Sequence, residues 1–135
     1  MPELEYFLVC ESLSVDRATN RLSLFNIIED VRCAPPNQQA PSISQMYAVA
    51  CLNRVDGDED ADFQATFCMQ VPGQEEMAMH VNFRMERPRV RLTLLMKLRG
   101  ETPPVPGEVV FLFSVNGAEM ARHTILVRPA PDGAE

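Results

Sequence analysis

This chain has no tryptophan, only six glycines, only two histidines and no C-x-x-C pair. Each shortage removes a class of function. Without tryptophan, and with Tyr6 and Tyr47 both inside apolar segments, the sequence offers little support for sugar binding by ring stacking. The scattered glycines form neither G-x-G-x-x-G nor a P-loop, so the sequence predicts no phosphate-cradling nucleotide site. Cys10, Cys33, Cys51 and Cys68 lie 23, 18 and 17 positions apart, which is not a zinc spacing. His80 and His123 have no co-ligands spaced to help them bind a metal. No serine stands in a G-x-S-x-G context and no cysteine stands beside a histidine. The expectation is therefore no catalytic residue and no cofactor.

Long hydrophobic runs are missing too. No apolar stretch approaches the roughly 20 residues that cross a bilayer as a helix, so no membrane span is expected. The first residues, MPELEYFLVCE, carry acids where a signal peptide needs basic side chains, which points to the cytoplasm. Thiols stay reduced there, so all four cysteines are expected to be free. A Cys10–Cys68 bridge would mimic the inter-sheet disulfide of an immunoglobulin domain, yet there is no tryptophan to pack against it. Positive charge is also scarce. Twelve Lys and Arg against nineteen Asp and Glu give a net charge of −7, which argues against a nucleic-acid partner.

What is present is a chain of 135 residues, 46% of them hydrophobic. That suits one domain over residues 1–128 with its own core, followed by a flexible tail over 129–135. The chain is organised around Glu5 to Val31, EYFLVCESLSVDRATNRLSLFNIIEDV. Asp16 can accept from backbone amides just ahead of it, and Asn20 tolerates the left-handed conformation that closes a short loop, so Asp16–Arg21 reads as a hairpin turn. The strand before it is apolar on both sides: Tyr6, Leu8 and Cys10 on one, Phe7, Val9 and Leu13 on the other. The strand after it alternates through Leu22, Leu24, Asn26 and Ile28, and the pattern continues to Val31.

Beyond the proline-rich connection Ala34–Ser44, a strand resumes at Gln45 and runs into the acidic loop VDGDEDAD. Phe63, Ala65, Phe67, Met69 and Val71 then alternate with polar neighbours, as in a strand with one wet face. Pro72-Gly73 makes a turn. Met77, Met79, Val81, Phe83 and Met85 place the next apolar set at odd positions, whereas Val90, Leu92, Leu94, Met96 and Leu98 place the following one at even positions. This slip of phase across Arg87-Pro88 predicts a bulge or a change of sheet. A second proline-set loop covers Gly100–Gly107, and Asn116-Gly117 is the preferred pair for a type I′ hairpin turn. Seven or eight strands and no sustained helical stripe predict an all-β antiparallel sandwich, immunoglobulin-like or C2-like.

The opening EYFLVCESLSVDRATNRLSLFNIIEDV and the closing PPVPGEVVFLFSVNGAEMARHTILV resemble a bacterial family of short single-domain β-sandwich proteins of unknown function. The resemblance spans most of residues 5–128 and implies fold and a cytoplasmic setting. It brings no activity, cofactor or catalytic residue.

Two clusters carry possible chemistry. Asp58, Asp60 and Asp62 stand in D-x-D-x-D spacing, and alternate carboxylates in a loop can converge on calcium, which takes oxygen ligands in irregular geometry. There is no second acidic loop to complete the shell, and the bland reading is a solvated turn. The other cluster is basic: six of the twelve positive charges fall within residues 84–99. Alternation sets Arg89, Arg91, Leu95, Lys97 and Arg99 on the outward side of one strand, an apolar centre inside a basic ring. The bland reading there is an ordinary polar sheet face. The expected function is a non-enzymatic module that binds a protein partner or self-associates through that strand, with the acidic loop of a second copy as one candidate ligand. A calcium-binding C2-like module is the alternative and an enzyme of unknown class the third.

Overall fold

The structure is a computed structural model that describes residues 1–32, 45–98 and 106–129. Nine strands and no helix make up the regular structure of those residues: β1 (Glu3–Val15), β2 (Leu22–Ile27), β3 (Asp30–Arg32), β4 (Met46–Asn53), β5 (Ala61–Gln70), β6 (Met77–Met85), β7 (Arg91–Leu98), β8 (Gly107–Val115) and β9 (Ala118–Arg128). They form a four-stranded sheet in the order β2-β1-β4-β7 and a five-stranded sheet in the order β3-β9-β8-β5-β6. The expected Ala34–Ser44 connection, most of the Gly100–Gly107 loop, Cys33, Arg99 and the tail beyond Pro129 lie outside the described residues.

The turns form as their side chains dictate. Asp16 Oδ1 accepts from the amides of Ala18 and Thr19 at 2.8 and 3.1 Å, and Asn20 takes φ 55°. Asn116 and Gly117 both have positive φ, at 50° and 82°, which is the type I′ requirement. The segment after the first turn differs from the single strand expected. At Asn26 the backbone turns left-handed, with φ 57°, and its amide side chain donates to Glu11 Oε2 at 3.0 Å. Ile28 still donates to Val9 of β1, but Glu29 already accepts from Leu126 of β9. The chain therefore leaves one sheet at Ile28 and joins the other at Asp30, where β3 runs parallel to β9. Period-2 alternation cannot show this, because a strand that changes sheets keeps its apolar residues facing the same core.

The phase slip has the predicted meaning: β6 belongs to the five-stranded sheet and β7 to the four-stranded one. Residues 86–90 make the crossing. Arg54 holds that turn from β4's end, its guanidinium donating to the carbonyls of Glu86 and Arg89 at 3.4 Å each and to that of Arg87 between them. Val90, expected in the core, is 65% exposed because it belongs to this turn, where its carbonyl accepts from the Arg54 amide.

The inner faces of both sheets share one core. Phe7, Val9, Ala48, Ala50, Leu52, Leu94, Met96 and Leu98 come from the four-stranded sheet, and Phe63, Phe67, Val109, Phe111, Phe113 and Ile125 are among those from the five-stranded one. Phe113 sits at the middle, its ring centroid 5.6 Å from Phe7 and 5.1 Å from Phe67. β6 departs from its expected burial. Met85 is buried and Phe83 and Val81 are half-buried, but Met79 and Met77 are exposed, since cover from the opposing sheet runs out along this edge strand.

Candidate interaction surface

On β7, Leu94, Met96 and Leu98 point into the core, so Arg91, Thr93, Leu95 and Lys97 share the outside. Three of the five expected surface residues thus come together on one strand. Arg89 does not join them, since it lies in the 86–90 turn with its amide bonded to the Glu86 carbonyl. Arg91 donates through Nε to Asn53 Oδ1 at 3.0 Å, and Asn53 in turn donates to Glu5 Oε2 at 2.6 Å. This chain of contacts fixes one end of the face. Lys97 and Leu95 remain exposed.

Leu95 is not an isolated apolar centre. Register places it opposite Val49 of β4, which is opposite Leu8 of β1, and the next row aligns Ile27, Cys10 and Tyr47. Val49, Cys10 and Cys51 have at most 1% exposure although they lie on the outside of the sandwich, while Leu95, Ile27 and Phe25 are 45–49% exposed. Antiparallel sheets that meet water normally turn polar on their outer face. Here one row, Leu95 with Val49 and Leu8, stays apolar across three strands and the next carries Ile27, Cys10 and Tyr47 to Lys97, while Arg91 and Thr93 make the rest of the β7 face polar. The signal was legible as apolar residues in both phases of β1 and of the strand after Gln45; the sequence could not show that register would align the two.

Burial pushes the Tyr6 phenol upward, helped by the Cys51 thiol beside it, and burial also raises the Cys10 thiol. Cys68, on the outer face of the other sheet, is raised by burial and then by the nearby Glu76 carboxylate. Neither Cys10 nor Cys68 is a poised nucleophile, since the thiolate is the reactive form. Cys10, Cys51 and Cys68 are free thiols, and no bridge joins Cys10 to Cys68. The two point away from the core on opposite faces. Thiol titration of unfolded, unreduced protein should count all four, with Cys10 and Cys51 modified in the native protein more slowly than the part-exposed Cys68. A missing pair would overturn this account.

The acidic loop is not an open carboxylate cluster. Asp58 Oδ1 accepts from the amino group of Met1 at 2.7 Å. Asp60 accepts from the Arg87 amide at 3.0 Å and from its guanidinium at 3.4 Å. Asp62, already on β5, pairs with Arg84 across the strands at 2.9 Å. The three side chains diverge to three separate cations, and among the described residues no group of three His, Cys, Asp or Glu could hold a metal. Hydrogen bonds from Arg87 keep the Asp60 carboxyl below its ordinary range, and the bond from Arg84 does the same for Asp62.

The histidines are structural. His123 Nε2 donates to the Ile28 carbonyl at 2.6 Å, tying β9 to the sheet crossing, and His80 Nδ1 shares a hydrogen bond with Thr66 Oγ1 at 2.9 Å. A shallow depression is bounded by Asp62, Gln64, Asn82, Arg84 and Asn116, where Arg84 bonds Asp62 and the Gln64 backbone amide donates to Asn116 Oδ1. No helix among the described residues is long and apolar enough to cross a membrane. No family model matches the chain, and no curated protein matches it.

Proposed function

We propose that this chain is a non-enzymatic interaction module that binds a protein partner on the outer face of its four-stranded sheet. The observation that supports it is the set of apolar side chains exposed on that face, Phe25, Ile27 and Leu95, with half-buried Leu8 and Tyr47 between them and Lys97 at the margin. An apolar centre edged by charge has the composition of an interface core and rim, and the lone Lys97 favours a partner with an acidic margin. The parallel pairing of β3 with β9 after a strand that changes sheets supports the immunoglobulin-like over the C2-like form. The opening and closing segments support a bacterial, cytoplasmic setting by their resemblance to that family.

The test is Arg91→Glu combined with Lys97→Glu, compared with wild type in pull-down and in solution binding to whatever partner wild type retains. Both side chains are exposed, so the melting temperature should hardly change, while partner retention should fall and wild-type binding should weaken as salt rises. Unchanged binding in the double variant, and in Leu95→Asp as well, would reduce this face to scaffold.

A further inference from the structure

The four sheet edges are not alike. β3 is three residues long, β2 is distorted by the left-handed Asn26, and β7 carries Arg91 and Lys97. Short strands, irregular backbone and edge charges are the usual devices that stop a sheet from pairing with another chain. β6 is neither short nor irregular, and its one charge, Arg84, lies near its end. It is nine regular residues, MAMHVNFRM, with no charge, proline or glycine from Met77 to Phe83, and among the described residues it pairs with β5 alone. Along its outer edge, backbone amides and carbonyls point away from β5 at alternate positions. Its inward side is also incompletely covered, with Met77 and Met79 56% and 48% exposed.

We infer that β6 is a homodimer interface, pairing antiparallel with β6 of a second copy about a two-fold axis. The occupant is a second copy because the strand complements itself. Its first half has exposed inward-facing methionines and its second half is partly covered, and antiparallel pairing sets each half beside the other. Centred on His80, the register places Met77 opposite Phe83 and Met79 opposite Val81 of the second copy, all on the inward side of the joined sheet. The same register sets Glu76 opposite Arg84 at both ends, and a register one step to either side turns the inward residues against outward ones. The two five-stranded sheets then become one continuous sheet, and each copy covers the methionines the other leaves in water. This surface is separate from the outer face proposed above, and the two readings stand or fall independently.

Sedimentation velocity on the full chain should show a dimer, and hydrogen exchange should show amides within 77–83 gaining protection as protein concentration rises. Met79→Lys places a charge beside Val81 of the second copy at a position that tolerates exposure, and should raise the dimer dissociation constant at least about tenfold, as expected of a central interface residue. Arg91→Glu with Lys97→Glu should leave the dimer intact. Under mild oxidation His80→Cys should form a covalent dimer that the wild type does not, because the axis brings that position against itself. A monomer at every concentration, a dimer unaffected by Met79→Lys, or a His80→Cys variant that crosslinks no better than wild type would overturn the inference.

Discussion

Phe113→Ala is expected to lower the unfolding free energy by about 3–5 kcal/mol, a large part of the roughly 5–15 kcal/mol typical of a domain. Phe113 has no exposure and stands on β8 between Phe67 of its own sheet and Phe7 of the opposite one. Those two rings are themselves 6.2 Å apart, so the three phenylalanines form one contact group across the middle of the sandwich. Removing the central ring loses its transfer free energy and leaves a cavity lined by side chains anchored on two separate sheets, which cannot easily collapse. Urea unfolding should show a lower midpoint with the slope unchanged. Met79→Ala is the internal comparison: the same apolar class on an exposed site should cost the monomer about 0.5 kcal/mol or less. A Phe113→Ala cost that small would mean the sheets are held together elsewhere.

The contrast between these two positions also shows how far the sequence could be read. Phe113 and Met79 both sit at apolar positions of alternating strands, and period 2 assigns both to the core. Alternation fixes which side of a sheet a residue faces, but not how much of the opposite sheet lies above it. Cover is a property of strand order, and neither β6 as an edge nor the loss of cover toward Met77 is written locally. Local chemistry was legible where one residue decides it: Asp16 in its turn, the Asn116-Gly117 pair, the phase slip at Pro88. In the acidic loop, spacing alone left both a solvated turn and a converging site open. Asp60 and Asp62 are drawn apart by Arg87 and Arg84, residues more than twenty positions away that the β5–β6 pairing brings alongside. Of the candidate surface, the outward side of β7 was legible from Arg91 onward. Its extension over Tyr47, Leu8 and Ile27 required the β4–β1–β2 order.

Arg54→Met should cost about 2 kcal/mol and loosen the crossing between the two sheets at residues 86–90, with little effect elsewhere. Nothing in the sequence marks Arg54, which follows β4 among ordinary loop residues. In the structure its guanidinium is the shared donor for the carbonyls of Glu86, Arg87 and Arg89, and its amide donates to the carbonyl of Val90 at 2.8 Å. These four carbonyls of the crossing would otherwise have to be satisfied by water or by one another; only that of Glu86 gains a second bond, from the Arg89 amide. Asp60 holds the other side of the same turn through the Arg87 amide, so the crossing is gripped from both sheets. Methionine keeps the length and apolar stem of arginine but none of its donors. Hydrogen bonds from a charged donor contribute about 1.5–3 kcal/mol, and the half-buried site argues for the lower part of that range. Arg54→Lys should recover only part of the loss, because the three carbonyls converge on Nη1 at the end of the longer arginine side chain, which the ammonium of the shorter lysine does not reach. Hydrogen exchange decides the mechanism. Amides from Glu86 to Arg91 should exchange faster in Arg54→Met while those of β8 and β9 keep their protection. Uniform loss of protection, or full recovery with lysine, would mean Arg54 contributes as a positive charge and not as the clamp on this turn.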